Sequence, residues 1–273
     1  MALFRRIYRL IGVFAWLAVV TAISVPHHFT GWRGRRKISR LVMLFMRGSC
    51  RILGLSIRLH GDMPDVPSGL VVSNHLGYID TLVHGSVFPL RFTSTTAIAK
   101  WPVIGQIIAL SHPVWVDRTS KPASRKALRD FAKTMRRGMY LIVYPEGTST
   151  DGKEGILRFK STSFEAAAFG DLPVIPVLTR YREMPGRPTV CWYGDMTFLP
   201  HLWQVLALPK IDADLYFLPP VYPMGRNRKE LAECVHGIME REYRNITAEE
   251  DTSSSAHLTR LVQEDSARTG HVE

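Results

Sequence analysis

At 273 residues and 46% hydrophobic content the chain can bury one sizeable core, and its length fits a single domain with an extension better than two full domains. Its formal net charge of +11 raises nucleic acid, an anionic membrane or an acidic substrate as a partner, yet eleven of the 35 basic residues fall in residues 1–60, which hold no Asp or Glu, so residues 61–273 balance 24 basic against 24 acidic groups. Three scattered cysteines, Cys50, Cys191 and Cys234, exclude a disulfide framework or a recognisable zinc site, and the sequence contains neither a two-histidine helical zinc pattern nor a glycine-rich nucleotide loop.

In chain order, the first element is an uncharged run from Leu10 to Val25, ended by Pro26 and flanked by Arg5, Arg6 and Arg9 before it and Arg33, Arg35, Arg36 and Lys37 after it. As a helix it reaches about 24 Å, short of a hydrocarbon core of roughly 30 Å. Positive charge on both sides favours an interfacial or re-entrant helix with both ends on the cytoplasmic face, ahead of a true span and of a cleaved signal peptide. The next stretch, Lys37 to His60, places Arg40, Arg47, Arg51 and Arg58 within roughly 40° of one another on a helix, beside Leu41, Val42, Leu44, Phe45 and Met46. A solvated basic face satisfies the same pattern, but the neighbouring apolar run and the absence of acids point to a lipid surface. Nucleic acid is not expected, because the basic groups are fused to apolar helices rather than interleaved with stacking aromatics.

Residues 61–246 alternate short β-rich runs with helical stretches. Strands are predicted at Leu70–Ser73, Arg91–Thr95, Pro113–Val116, Tyr140–Tyr144, Val174–Thr179, Thr189–Tyr193 and Leu215–Leu218, and helices at 79–87, 121–137, 161–169 and 227–245. The fold class is α/β: a mixed sheet covered by helices, with functional residues at strand ends and membrane-associating helices at the N-terminus. The tail 247–273, rich in Ser, Thr and acids, is expected to be disordered. The domain reading is therefore 1–60 as membrane anchor, 61–246 as catalytic domain and 247–273 as tail.

Two polar clusters follow apolar strands. The first is Asn74-His75-Leu76-Gly77-Tyr78-Ile79-Asp80, in which His75 and Asp80 meet only through a turn, for which Gly77 supplies the permissive position. A carboxylate bonded to one imidazole nitrogen leaves the other free to take a proton from an alcohol. On this segment alone, Asn74 and Asp80 serve equally well as helix caps and His75 as a satisfied core histidine. The second cluster is Pro145-Glu146-Gly147-Thr148-Ser149-Thr150-Asp151-Gly152, a carboxylate and three hydroxyls suited to a polyhydroxy or charged head group, or simply a polar turn.

Together these residues resemble the lysophosphatidate acyltransferase family of glycerolipid acyltransferases. Its asparagine-histidine-four-residues-aspartate hallmark is matched by Asn74, His75 and Asp80, and its aromatic-proline-glutamate-glycine-threonine hallmark by Tyr144 to Thr148. Val114 to Arg118 and Val174 to Val177 look like two lesser blocks of the same family. The resemblance implies a membrane-associated enzyme of phospholipid biosynthesis that moves a fatty acyl group from acyl-CoA or acyl carrier protein to the free hydroxyl of a lysolipid. It implies His75 as general base, worth ~10²–10⁴-fold, with Asp80 orienting it. It also implies Asn74, Glu146, Gly147, Thr148 and Ser149 around the acceptor, and Arg118 and Lys160 on anionic groups of acceptor or donor. No metal and no tightly bound cofactor are expected.

One departure is informative. Members acting on lysophosphatidate usually carry arginine after glutamate-glycine-threonine; here that residue is Ser149. The run from Glu146 to Gly152, followed by Phe159-Lys160-Ser161, looks more like the lyso-ornithine lipid acyltransferase branch, whose acceptor lacks a glycerol phosphate. Thioester hydrolysis by the same histidine and a non-catalytic membrane scaffold are the competing functions.

Overall fold

The computed structural model describes residues 1–117 and 120–269, with side chains as far as Glu249 apart from that of Lys121. Two long helices, α1 (Ala2–Ser24) and α2 (Gly31–Leu53), are joined by a 3₁₀ turn at Val25–Phe29 and form a hairpin. There follow β1 (Leu55–His60), β2 (Gly69–Ser73), α3 (Ile79–Val87), β3 (Leu90–Thr95), α4 (Thr96–Ala99), α5 (Ile104–Leu110) and β4 (Val114–Val116). The chain continues through α6 (Lys121–Arg136), β5 (Tyr140–Val143), a 3₁₀ turn at Ser161–Phe164, α7 (Glu165–Gly170), β6 (Val174–Arg182), α8 (Phe198–Val205), β7 (Ile211–Phe217) and α9 (Arg228–Thr269).

The strands form one sheet in the order β1-β7-β6-β2-β5-β3-β4, parallel throughout except for the antiparallel β6–β7 pair. Side chains alternate between its two faces. Val71, Ile142 and Ile175 point into a core closed by Cys50 of α2, Val83 of α3 and Val205 of α8. Leu70, Val72, Leu141, Val143 and Val174 point the other way, against Phe131 and Met135 of α6, Ala167 of α7 and Leu231, Val235 and Met239 of α9. A central strand covered on both faces must be apolar at every position, and all five residues of β2 are buried.

Four expectations are corrected. The predicted strand Thr189–Tyr193 is an irregular segment, held instead by a bond from the Trp192 amide to the Leu76 carbonyl at 2.8 Å. Arg58 does not extend the basic helical stripe. Gly54, with φ 68° and ψ 36°, caps α2 by donating back to the Arg51 and Cys50 carbonyls, and the chain then leaves as β1 alongside β7. There Arg58 and His60 reach buried Asp214, which also accepts from Arg182 at 2.7 Å. Residues 55–60, expected to lie in the N-terminal helical segment, thus belong to the sheet, and the helical hairpin ends at Gly54. Beyond Thr247, where a disordered tail is expected, α9 continues as helix to Thr269. The helix formers Ala248, Glu249, Ala256, Leu258 and Leu261 favour that continuation.

The arginines before the apolar run have a structural partner. Arg5 donates to the Ala207 carbonyl at 2.6 Å, Arg6 to that of Trp203 at 3.0 Å, and buried Arg9 to those of Leu206 and Leu208 at 3.1 and 2.6 Å. They satisfy carbonyls at the C-terminal end of α8, where an uncapped helix leaves acceptors and partial negative charge. The far end of the hairpin is pinned as well, through a 2.8 Å contact between His28 and His112 and a bond from Arg36 to the Gly138 carbonyl.

Candidate active site

β2 and β5 run parallel as neighbours, with Leu70 opposite Leu141 and Val72 opposite Val143, so the loops leaving their C-terminal ends emerge side by side. This brings the two polar clusters together from 71 residues apart. The His75 amide donates to Glu146 Oε1 at 2.7 Å, and the Thr150 amide to the His75 carbonyl at 2.9 Å.

The turn after β2 brings His75 Nδ1 to 2.8 Å from Asp80 Oδ2. That oxygen also accepts from the Leu76 and Gly77 amides at 2.7 and 3.0 Å, while Oδ1 accepts from the Tyr181 hydroxyl at 2.6 Å. Burial alone pushes the Asp80 carboxyl up, but the hydrogen bonds from His75 and Tyr181 help hold it below its ordinary value. Asp80 is fully buried, whereas the His75 side chain keeps 24% of its exposure. An Nδ1–H donated to the carboxylate leaves Nε2 unprotonated as an acceptor. The ring face rests on Tyr144, with centroids 4.2 Å apart.

Glycine is required within this turn. Gly77 has φ 152°, and a Cβ there would lie 2.9 Å from the Trp192 amide nitrogen and 3.1 Å from its Cβ. Behind the turn, Asn74 donates from Nδ2 to the Thr179 carbonyl at 3.0 Å and accepts from the Thr179 amide at 2.8 Å, extending the β2–β6 pairing with a side chain. His84, one helical turn beyond Asp80, bonds through Nδ1 to the Asp80 carbonyl at 2.7 Å and through Nε2 to Thr179 Oγ1 at 3.0 Å. Burial lowers its imidazole to about 4, so His84 is a neutral strut.

The other expected site residues divide. Glu146 is buried, and both its oxygens are occupied, by the His75 amide and by the Leu157 amide at 2.8 Å. Burial raises its carboxyl to about 7 against the bonds from Leu157 and His75. Ser149 Oγ donates to the Trp192 carbonyl, so its one hydrogen is already committed. Asn74, Glu146 and Ser149 therefore spend these polar groups on holding the loops in place. Gly147 turns the chain at φ 79° beneath Lys160, whose Nζ would lie 2.3 Å from a Cβ added there, and exposed Thr148 follows it. Arg118 lies outside the described residues. Tyr181 and His84, absent from the sequence reading, complete the cluster; Tyr181 comes from β6, 101 residues beyond Asp80, with no local spacing to reveal it. Among the described residues no group of three or more His, Cys, Asp or Glu is placed to hold a metal ion.

An apolar cavity of about 170 Å³ lies between the hairpin and the domain, lined among others by Leu17, Val20, Ile38, Phe92 and Ile107, with Thr81, the residue after Asp80, in its wall.

A family model described as Acyltransferase matches residues 56–180. The chain is 30% identical over 204 residues to a lyso-ornithine lipid O-acyltransferase of Rhizobium meliloti, covering 69% of this chain and 70% of that one. It is 34% identical over 193 residues to the protein of the same name in Rhodobacter capsulatus, covering 66% and 67%. A 1-acyl-sn-glycerol-3-phosphate acyltransferase of Neisseria gonorrhoeae is 26% identical over 182 residues, covering 66% and 71%. The crystal structure of the 1-acyl-sn-glycerophosphate acyltransferase PlsC from Thermotoga maritima superposes with a TM-score of 0.65 at 21% identity, over 90% of this chain and 96% of that one, and so shares its fold.

Proposed function

This chain belongs to the acyltransferase family, and we propose that it transfers a fatty acyl group from a thioester donor to the hydroxyl of a lysolipid, with His75 as general base. The observation that carries this reading is the His75 ring, fixed at Nδ1 by a buried carboxylate and partly open to solvent at a strand end. In the step itself, the lysolipid oxygen attacks the thioester carbonyl carbon while His75 Nε2 takes the hydroxyl proton. The tetrahedral intermediate then expels the thiolate of coenzyme A or an acyl carrier protein, which takes that proton from the imidazolium. Asp80 stabilises the imidazolium between the two transfers. No covalent acyl-enzyme forms. Glu146 and Asn74 act as positioning residues, while Lys160, Thr148 and the Gly147 turn present the groups that meet the head group. The apolar cavity beside Thr81 offers a place for an acyl chain.

The acceptor in this reading is a lysolipid without a terminal phosphate, of the lyso-ornithine lipid type. Ser149 contributes no charge, and its hydrogen is spent on Trp192, so it cannot replace the paired charge-assisted bonds of an arginine to a phosphate. The relatives identical at 30% and 34% carry the matching name. Lysophosphatidate is the second reading, favoured by Lys160 above the Gly147 turn. Mass spectrometry of lipids formed from one labelled donor and competing lysolipids separates the two. The expected result is lyso-ornithine lipid used at least as well as lysophosphatidate, with Ser149→Arg shifting preference toward the phosphate. A strong native preference for lysophosphatidate, unaltered by Ser149→Arg, overturns the assignment.

The enzyme in this reading sits on a membrane, with the hairpin lying along its surface. The segment Ala2–Phe29 is long and apolar enough to cross a bilayer. Both ends of the hairpin are nevertheless fastened to the domain, and Phe4, Tyr8, Ile11, Phe14, Val19 and Ile23 form an exposed stripe along its outer face. A helix fixed flat on a domain with an apolar outer face suits the interface better than a span. The cytoplasmic side, where thioester donors reside, is the side proposed.

A further inference from the structure

Three separate stretches of this sequence are almost free of charge and bring exposed apolar side chains to the surface. Residues 10–29 contain no Asp, Glu, Lys or Arg, residues 197–209 contain none, and residues 96–113 contain only Lys100. The fold joins them edge to edge. Arg6 of α1 lies 4.8 Å from the ring centroid of Trp203 on α8 while donating to the Trp203 carbonyl. At the other end of α8, Phe198 meets Trp101 with centroids 5.6 Å apart. The stripe on α1 therefore continues across Trp203 and Leu199, which is 70% exposed, to Trp101 and Val103, which is 58% exposed.

The Trp101–Val103 tip is held rigidly. The Gly105 amide donates to the Trp101 carbonyl at 2.9 Å, the Ile104 amide to that of Pro102 at 2.7 Å, and the Trp101 amide to that of Ile98 at 3.0 Å. Val103 itself has φ 66° and ψ −53°, a region a β-branched residue occupies only when its surroundings impose it. The strained backbone leaves the Val103 side chain in solvent and gives the fold no core packing in return. An apolar medium outside the protein supplies the missing gain.

This edge also adjoins the catalytic loop. Tyr78, three residues after His75, packs on Phe198 at 5.0 Å and on Trp192 at 6.1 Å and bonds to His201 Nδ1 at 3.0 Å. Trp192 in turn holds the Leu76 carbonyl. One side chain separates the exposed edge from the turn that carries the base.

We propose that the catalytic domain itself enters one leaflet of a phospholipid bilayer through a lip made of Trp101, Val103, Leu199 and Trp203, and that the acceptor lysolipid passes over this lip from the leaflet to His75 without leaving the membrane. The inference rests on the membrane reading of α1 and extends it to a second, independent contact. A bilayer fits better than another copy of the chain. The patch combines tryptophans with aliphatic residues and has Arg6 and Lys100 at its rim, the composition of a lipid interface with anionic head groups.

The test uses the full chain bearing one added cysteine at Val103, Leu199, Phe14 or Lys126, each labelled with an environment-sensitive fluorophore, with the unsubstituted protein setting the background from Cys50, Cys191 and Cys234. Vesicles of phosphatidylglycerol and phosphatidylcholine carry bromine on the acyl chains as a contact quencher. Val103 and Leu199 are expected to be quenched as strongly as Phe14 on α1, and Lys126, on the opposite face of the sheet, is not. Quenching at Phe14 without quenching at 103 and 199 overturns the lip and leaves the α1 anchor standing. No quenching at any position overturns both, and equal quenching at all four, Lys126 included, overturns the assignment of a defined face. In parallel, the double substitution of Val103→Glu and Leu199→Glu is expected to lower vesicle partitioning at least about tenfold, with thermal melting confirming the fold. Unchanged partitioning contradicts the proposal.

Discussion

His75 and His60 each place a ring nitrogen 2.8 Å from an oxygen of a fully buried aspartate, and each ring stacks on a tyrosine, Tyr144 at 4.2 Å and Tyr216 at 4.3 Å. Their surroundings differ. The donors that reach Asp80, besides the imidazole, are two backbone amides and a phenol, all neutral, so a proton arriving on His75 meets a full negative charge. Asp214 is already shared by the guanidinium groups of Arg58 and Arg182, which offset its negative charge. His75 also sits on a loop where two strands end, with Nε2 directed away from its partner, whereas His60 uses Nε2 to close a brace across β1, β7 and β6. Two pairs with the same inner distance thus differ: in the proposed mechanism one cycles a proton, and the other locks an edge of the sheet.

Replacing each histidine in turn gives the largest expected contrast. His75→Ala lowers kcat/KM by about 10³-fold or more, while His60→Ala stays within about threefold per folded molecule, since only a partly exposed brace is lost. Comparable losses in both variants would erase the distinction. The aspartates sharpen it next. Asp80→Asn keeps the volume but loses the charge that steadies the imidazolium, for a drop of about 10²–10⁴-fold in kcat. Asp214→Asn spares turnover and lowers stability by about 1–3 kcal/mol in denaturant unfolding, discounted for the half-exposed arginines.

Smaller still, Tyr181→Phe removes one bond to the Asp80 anion and is expected to cost about tenfold in kcat with KM little changed. A pure packing role for the phenol predicts no such split. The last effect is on stability. With its carboxyl raised from 4.5 to about 7 by burial, Glu146 binds its proton more tightly in the folded chain than in the unfolded one. Its contribution is complete below the unfolded value and is lost as pH rises through about 7. Glu146→Gln removes that dependence, so the melting temperature of the unsubstituted protein relative to the variant should fall by roughly a few degrees between acidic and neutral pH. A difference independent of pH would show that Glu146 stays ionised.

Much of this arrangement is legible in the linear sequence. The runs that become β2, β5 and β6 are too apolar for anything but a doubly covered sheet, and a polar cluster after each of two strands marks where a site has to be. Other features have no local signature. The spacing of Arg40, Arg47, Arg51 and Arg58 fits one helical face, but seven residues are close to two helical turns, so the period cannot show that the chain has become a strand; Gly54 is the signal that it has. Asn74, Glu146 and Ser149 are polar residues beside a base, which suggests ligand contact. Only the folded chain reveals that backbone groups from 105, 71 and 43 residues away, respectively, satisfy them. Likewise Arg5, Arg6 and Arg9 have the look of membrane-flanking charges until the carbonyls at the end of α8 arrive from some 200 residues along the chain.

The central claim is direct acyl transfer to a lysolipid hydroxyl with His75 as base, and the most direct measurement is a single-turnover experiment with a thioester donor labelled in its acyl chain. The account predicts label in diacylated lipid only when lysolipid is present, no label retained on the protein at any time, and neither product nor donor consumption with His75→Ala. Donor hydrolysis without lysolipid, label trapped on the protein, or near-normal transfer by well-folded His75→Ala would contradict it.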